Sequence, residues 1–297
     1  MLITPDIRVV EAHDLLLGET VGQVADGGPR DIDAVPSRFT LADLRKRGRY
    51  LPALQAPTFD GAAAWIGNHL LPTLPFAPDE VPKGSTGIDL WGELARSNGD
   101  WAGGVQKRSR MKQVAFDRLV AMGEQQDLLH RLPRWLEPGS AGAQAYKLYL
   151  SDPGVLHRLL GWNERRYVGG PRGVSPARTE AFWRVRDKSW EGFVVTSLMR
   201  AAGPNARATV WEANPGEIDL ILDWARETWA IEITRGRSKK FRELHGAGHR
   251  VTGAARPIIL VYDDEVGLPE LKGAGRLGHK VECMTLLQAL REVRAGP

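Results

Sequence analysis

The clearest hydrophobic period in the chain runs from Glu217 to Thr234. Glu217-Ile-Asp-Leu-Ile-Leu-Asp-Trp224 alternates apolar and polar positions, as does Thr228-Trp-Ala-Ile-Glu-Ile-Thr234, with Ile221 and Ala230 the only breaks. Period-two alternation predicts two half-buried strands. Ile218, Leu220, Leu222 and Trp224 then share one face with Trp229, Ile231 and Ile233, and Asp219 and Glu232 face the other way. A two-residue turn at Ala225 and Arg226 sets Asp219 directly opposite Glu232; a turn one residue later makes them diagonal neighbours. No Asn-Gly or Asp-Gly pair selects between these registers.

The period changes on either side of this hairpin. Trp190, Phe193, Val194, Ser197 and Leu198 follow helical spacing and predict a helix over Trp190–Ala201, with Glu191 beside the apolar stripe. Strands are expected at Ala208–Glu212, Pro257–Tyr262 and Val281–Met284, and helices at Ser238–His245 and at the C-terminus up to Val293. The order α-β-β-β-α-β predicts an α/β sandwich with the carboxylate hairpin at its centre.

Upstream, Asp26-Gly-Gly-Pro-Arg30 reads as a turn, Thr40 caps a short helix, and residues 1–60 form an N-terminal segment to which no chemistry is assigned. Residues 61–162 read as a helical domain: a helix over Phe59–Leu71, prolines 72, 75, 78 and 82 in extended chain, helices over Ile88–Ser97 and Ser109–Met122 around an Asn98-Gly99 turn, and a strand over Gln126–Arg131. Helix, turn, helix, strand is the order of a winged helix-turn-helix, and also of small helical domains that do not touch DNA. A strand from Tyr146 and a short helix over Val155–Leu160 follow. Gly-, Pro- and Arg-rich residues 163–178 read as a linker to the C-terminal domain, residues 179–297.

Hydrophobic residues make up 42% of the 297, enough for a packed core. No apolar run approaches the length of a membrane span and no charged-then-apolar leader opens the chain, so a cytoplasmic protein is expected. Cys283 is the single cysteine, which rules out an internal disulfide and reads as a small buried thiol. Net charge is only +4, yet basic residues cluster: Lys107, Arg108, Arg110 and Lys112 form one group, and Arg235, Arg237, Lys239, Lys240 and Arg242 begin another. Such clusters suit a phosphate backbone, and they also occur as solvated faces. No stretch matches the phosphate-loop pattern, so no ATP site is read.

The hairpin carries the candidate chemistry. Opposed Cβ atoms lie about 5 Å apart, so two carboxylates there repel unless a cation lies between them. Mg²⁺ is held by one or two carboxylates plus waters and substrate phosphates, which makes Asp219 and Glu232 candidate metal ligands. The alternative is an amphipathic strand pair with a solvated acidic face. His245 and His249, four residues apart, are a weaker candidate for zinc, with Gly246 and Gly248 between them.

Glu191, Asp219 and Glu232-Ile-Thr234, in this order of elements, resemble the PD-(D/E)XK superfamily of restriction-endonuclease-like domains. More narrowly, Leu132-Pro-Arg-Trp135, Lys147-Leu-Tyr-Leu-Ser-Asp-Pro-Gly-Val-Leu-His-Arg-Leu-Leu-Gly161, Glu191-Gly-Phe-Val-Val195, Glu217-Ile-Asp219 and Ala230-Ile-Glu-Ile-Thr234 resemble domain of unknown function 4143, the C-terminal half of many bacterial AAA-family ATPases. The resemblance implies a winged-helix part followed by a nuclease-like part in which Glu191, Asp219 and Glu232 hold Mg²⁺. It also implies a lysine two residues after Glu232, where this chain has Thr234. A hydroxyl cannot replace an ammonium that stabilises developing negative charge. The loss favours a site without chemistry in a chain that binds DNA or regulates through Lys107, Arg108, Arg110, Lys112, Arg235, Arg237 and Arg242; the alternative is an active Mg²⁺-dependent nuclease in which Arg235, Lys239 or Lys240 reaches in from the next turn as the substitute. A third expectation is a partner of a separately encoded ATPase or toxin, in place of the missing phosphate-loop domain.

Overall fold

The computed structural model describes residues 39–137, 139, 145–171, 173–213, 216–224, 226–241, 243–274 and 280–297. The Asp26–Arg30 turn, Ala225 and Arg242 lie outside the described residues. Eleven α-helices and nine strands occur among them: α1 Leu41–Arg47, α2 Leu51–Gln55, α3 Phe59–His69, α4 Gly87–Arg96, α5 Ala102–Ser109, α6 Gln113–Gln125, β1 Leu129–Pro133, β2 Tyr146–Leu150, α7 Pro153–Leu159, α8 Glu164–Gly169, α9 Pro176–Ala202, β3 Arg207–Ala213, β4 Gly216–Trp224, β5 Glu227–Thr234, β6 Ser238–Lys240, α10 Glu243–Val251, β7 Ile258–Tyr262, β8 Glu270–Lys272, β9 Val281–Thr285 and α11 Leu286–Ala295. No helix among the described residues is long and apolar enough to cross a membrane.

The chain forms two compact units. One comprises the described residues up to Ser97 with Gln106–Leu129 and Leu150–Arg186; the other comprises Asn98–Val105, His130–Tyr149 and Asp187–Pro297. In the first, Thr40 and Thr86 close capping boxes with Asp43 and Asp89, satisfying the free amides that open α1 and α4. Its aromatic core joins Phe59, Trp162, Tyr167 and Phe182, with the His157 ring stacked on Trp162.

The second unit holds a five-stranded mixed sheet in the order β3-β4-β5-β7-β9. β3, β4 and β5 run antiparallel, and β7 and β9 extend the sheet in parallel. The chain is therefore mixed α/β, as the alternating periods imply. Trp224 pairs with Glu227 and Leu220 with Ile231, the register of a two-residue connection. Cys283 is half-buried in β9.

Several local expectations change. Ser238–Lys240 is a strand, not the start of a helix: it pairs in parallel with β8, and the helix follows at Glu243–Val251. Gly248 serves that helix by closeness, since a Cβ there would lie 2.5 Å from the Trp211 ring. The helix expected at Ser109–Met122 begins at Gln113 as α6; Ser109 ends the separate helix α5, and Arg110 between them adopts positive φ. Residues 163–178 contain α8, capped by Asn163, and the first turn of α9. The helix expected from Trp190 begins at Pro176 and runs 27 residues, its first part packing Phe182 and Val185 into the aromatic core. The last of the points at which the chain passes from one unit to the other falls within it, after Arg186.

Candidate functional site

The site is built where the alternation of β4 breaks. Thr209 pairs with Ile221 and Trp211 with Ile218, so over this step β4 spends three residues against two on β3. This is a β-bulge, which re-aims side chains beside it and often lies next to active sites. Beyond it Ile218 packs with Trp211, Ile221 and Ala230, instead of joining Leu220 as strict alternation requires. The β4–β5 pairing ends at Leu220 opposite Ile231, and the same register continued puts Asp219 level with Glu232. Asp219 Oδ2 accepts the Ile233 N–H at 2.8 Å, so the side chain does the work of the interrupted ladder.

Both carboxylates are buried, Asp219 at 5% and Glu232 at 1% exposure. The cation between them is Lys239. Its Nζ lies 2.6 Å from Glu232 Oε2, 3.7 Å from Asp219 Oδ2 and 3.5 Å from the Ile233 carbonyl. The strand β6 accounts for this reach: alternation along Ser238-Lys-Lys240 turns Lys239 inward and leaves Lys240 exposed. Thr234 contributes to the turn between the strands, its hydroxyl accepting the Gly236 N–H at 3.2 Å. The position that carries lysine in the resembled motif thus shapes the turn through which a later lysine returns.

A second cluster adjoins the first. Glu191 accepts the Tyr149 hydroxyl at 2.8 Å and the Lys188 ammonium at 2.7 Å. Lys147, itself buried, pairs with Glu217 at 2.6 Å. Gly99, at φ +77°, leaves room for these groups, since a Cβ there would lie 3.1 Å from both Lys188 and Tyr149. Four carboxylates and three ammoniums therefore share a buried region.

Their titration reflects that sharing. Burial works to raise the Asp219 carboxyl, but Lys239, Lys188, Lys147 and the Ile233 N–H outweigh it and hold the group below its ordinary range. At Glu232 burial wins over the Lys239 ammonium, and neighbouring Asp219 adds to it, so the carboxyl is pushed well above its ordinary value. One ammonium cannot compensate two buried charges, and Glu232 takes up the proton first. Lys188 and Lys239 are held above the ordinary lysine range by their carboxylates despite burial. Tyr149 is pushed well above its ordinary value by burial and by Glu191, and stays a neutral donor.

Glu232 Oε1 is buried with no hydrogen-bond partner. The His245 ring nitrogen approaches it only to 3.8 Å. Buried polar atoms are nearly always paired, so a carboxylate oxygen left free beside a second carboxylate fits a divalent cation held by Asp219 and Glu232. Among the described residues no group of three or more His, Cys, Asp and Glu side chains is placed to hold a metal. Glu191 is engaged by Tyr149 and Lys188, and His249 hydrogen-bonds the Arg256 carbonyl.

Of the basic candidates, Lys107, Arg108, Arg110 and Lys112 are exposed, with Arg108 paired to Glu93 at 3.0 Å. Arg237 and Lys240 are exposed. Arg235 is not: its guanidinium is 8% exposed and pairs at 2.8 Å with the fully buried Asp263. Lys147, Tyr149 and Lys188 escaped sequence reasoning. The Lys188–Glu191 spacing on a helix was a usable signal, whereas Tyr149 meets Glu191 from 42 residues away.

No family model matches the chain, and no solved structure gives a significant match. Two curated relatives are the uncharacterized proteins Mb2031c of Mycobacterium bovis and Rv2008c of Mycobacterium tuberculosis, each 23% identical over 254 residues. The aligned region covers 77% of this chain and 54% of each relative, so the chain spans about half the length of the curated relatives it matches.

Proposed function

We propose that the chain is a divalent-metal-dependent phosphodiester hydrolase acting on DNA in the cytoplasm. On this reading its core is restriction-endonuclease-like and Lys239 supplies the ammonium that Thr234 lacks. The observation that carries the reading is the placement of Lys239 Nζ, 2.6 Å from Glu232 and 3.7 Å from Asp219. It is supported by the free buried oxygen of Glu232.

Asp219 and Glu232 would hold the ion, Mg²⁺ by the hardness of their oxygens. When bound, the ion lowers the pKa of attacking water and offsets charge on the phosphoryl group. The chain's own residues do the rest. The Ile233 N–H fixes Asp219, and the bulge fixes the strand beneath it. Lys239, whose Nζ lies beside both carboxylates, would stabilise negative charge on the phosphoryl oxygens. Lys188 and Tyr149 hold Glu191 in one orientation. Arg237 and Lys240 in one unit, and Lys107, Arg110 and Lys112 in the other, are exposed cations for phosphate contacts.

A second reading is DNA binding or regulation without cleavage. It is favoured by the lysine partners that Glu217, Glu191 and Glu232 already have, which neutralise the carboxylates without an ion. Incubation with supercoiled, linear and single-stranded DNA in Mg²⁺ or Mn²⁺ separates the two. Cleavage by the wild type that is lost in Asp219→Asn and Glu232→Gln supports the hydrolase. DNA retained on the protein but left intact in every metal supports the second reading.

A further inference from the structure

The helix α10 serves two sites. At its start His245 faces Glu232 at 3.8 Å. One turn later, about 6 Å along the same helix face, His249 lines a cavity of about 420 Å³. Arg250, Arg256, Ile258 and Lys280 complete much of its wall, and among the described residues no carboxylate lines it, Glu282 and Glu292 reaching only Arg256. It sits where β7 begins at Ile258 and β9 follows Lys280. Glu232 is level with Leu260, two residues further along β7, or roughly 7 Å.

The cations of this cavity differ in what they are free to do. Arg256 is held at 3.0 Å by Glu292 and at 2.9 Å by Glu282, and its guanidinium stacks over Trp229. Its charge is spent within the protein. Arg250 and Lys280 are exposed, and among the described residues neither has an ion-pair partner. Two cations without an ion-pair partner among the described residues, in a concavity whose neighbouring carboxylates, Glu282 and Glu292, are both engaged by Arg256, attract an anion, and one turn of helix separates that concavity from the carboxylate pair. A nucleic-acid strand presents its phosphates at spacings of this order.

We infer that this cavity is a second phosphate subsite, in which Arg250 and Lys280 hold a phosphodiester flanking the one presented to Asp219 and Glu232. The inference rests on the nuclease reading for the identity of the anion. It adds the direction of the substrate, which runs along α10 toward the beginnings of β7 and β9. The substrate is then a polynucleotide strand extending past the scissile bond, and a mononucleotide occupies only half of the site.

The test is the salt dependence of binding of short duplex and single-stranded oligonucleotides in EDTA, for the wild type and for Arg250→Gln/Lys280→Gln. A second double variant, Arg207→Gln/Lys272→Gln, removes the same number of charges at exposed positions outside the cavity's lining. Each phosphate contact contributes about 0.9 to the slope of log affinity against log salt on duplex DNA. The cavity variant should therefore flatten the slope by about 1.8 and weaken binding at least roughly tenfold at 0.1 M salt, with the distant variant close to wild type. Equal slopes in the two variants, with the wild type binding and cleaving, overturn the subsite and leave the hydrolase standing. A flattened slope in the cavity variant alone, with no cleavage in any metal, keeps the subsite and overturns the hydrolase. A wild type that retains no DNA at low salt overturns both.

Discussion

Replacing Lys239 by Met keeps an unbranched stem of similar reach and removes the one ammonium paired with Asp219 and Glu232 among the described residues. At an effective dielectric of about 20, charges 2.6 and 3.7 Å apart attract by about 6 and about 4 kcal/mol before any desolvation is counted. Most of that gain offsets taking the ammonium out of water, and the net cost of orphaning a buried partner is about 3–5 kcal/mol. Urea unfolding in EDTA at pH 8 should show a loss of this size. Its pH dependence follows from Glu232, whose carboxyl is raised in the folded state. Protonated Glu232 contributes stability below its unfolded value, and this is lost as pH rises through the folded one. The variant's deficit is therefore small in acid and grows above it. Mg²⁺ at about 100 times its Kd should return about 2.7 kcal/mol to the variant, because the ion then supplies the missing charge. A variant within about 0.5 kcal/mol of wild type in EDTA at pH 8 would refute the idea that Lys239 neutralises the pair.

Three further outcomes are expected elsewhere. Arg235→Met should cost about 3–5 kcal/mol by removing the guanidinium from the buried Asp263 carboxylate, which keeps the Glu265 N–H, while Arg237→Gln, two residues on and exposed, stays within about 0.5 kcal/mol; urea unfolding of both decides whether the first is structural. Gly248→Ala should destabilise by about 1–3 kcal/mol despite its gain in helix propensity, because the new methyl meets the Trp211 ring. Burial, reinforced by Asp152, pushes the Tyr50 hydroxyl up to about 12. Its neutral form then contributes stability below the ordinary tyrosine value that is lost as pH rises from about 10 to about 12, some 2–3 kcal/mol in all. Tyr50→Phe should abolish that alkaline step in a pH-jump unfolding series.

The hairpin was legible because burial on one face imposes a period of two, but that period did not choose between the two turns; the pairing of Trp224 with Glu227 selects the one that levels Asp219 with Glu232. What breaks the period was not legible. A bulge is one extra residue against a partner strand, and nothing in Glu217-Ile-Asp-Leu220 names the partner. β6 is three residues long, too short to show alternation, and its pairing with β8 lies about thirty residues away in sequence. For that reason Lys239 could be offered only beside Arg235 and Lys240, with no means to choose among them. Arg235 read as a free cation because Asp263, its partner, lies 28 residues on. α8 and the first part of α9 were hidden by glycine, proline and arginine, whose local preferences yield where Tyr167 and Phe182 pack into the aromatic core.

The most direct test of the central claim is single-turnover cleavage of supercoiled DNA in Mg²⁺ by the wild type, Lys239→Met and Lys240→Met, each first shown to be folded in that metal. The account predicts cleavage by the wild type and by Lys240→Met, and a fall of about a hundredfold or more in Lys239→Met, the scale set by removing one group that stabilises transition-state charge. Equal rates in the two lysine variants would contradict it.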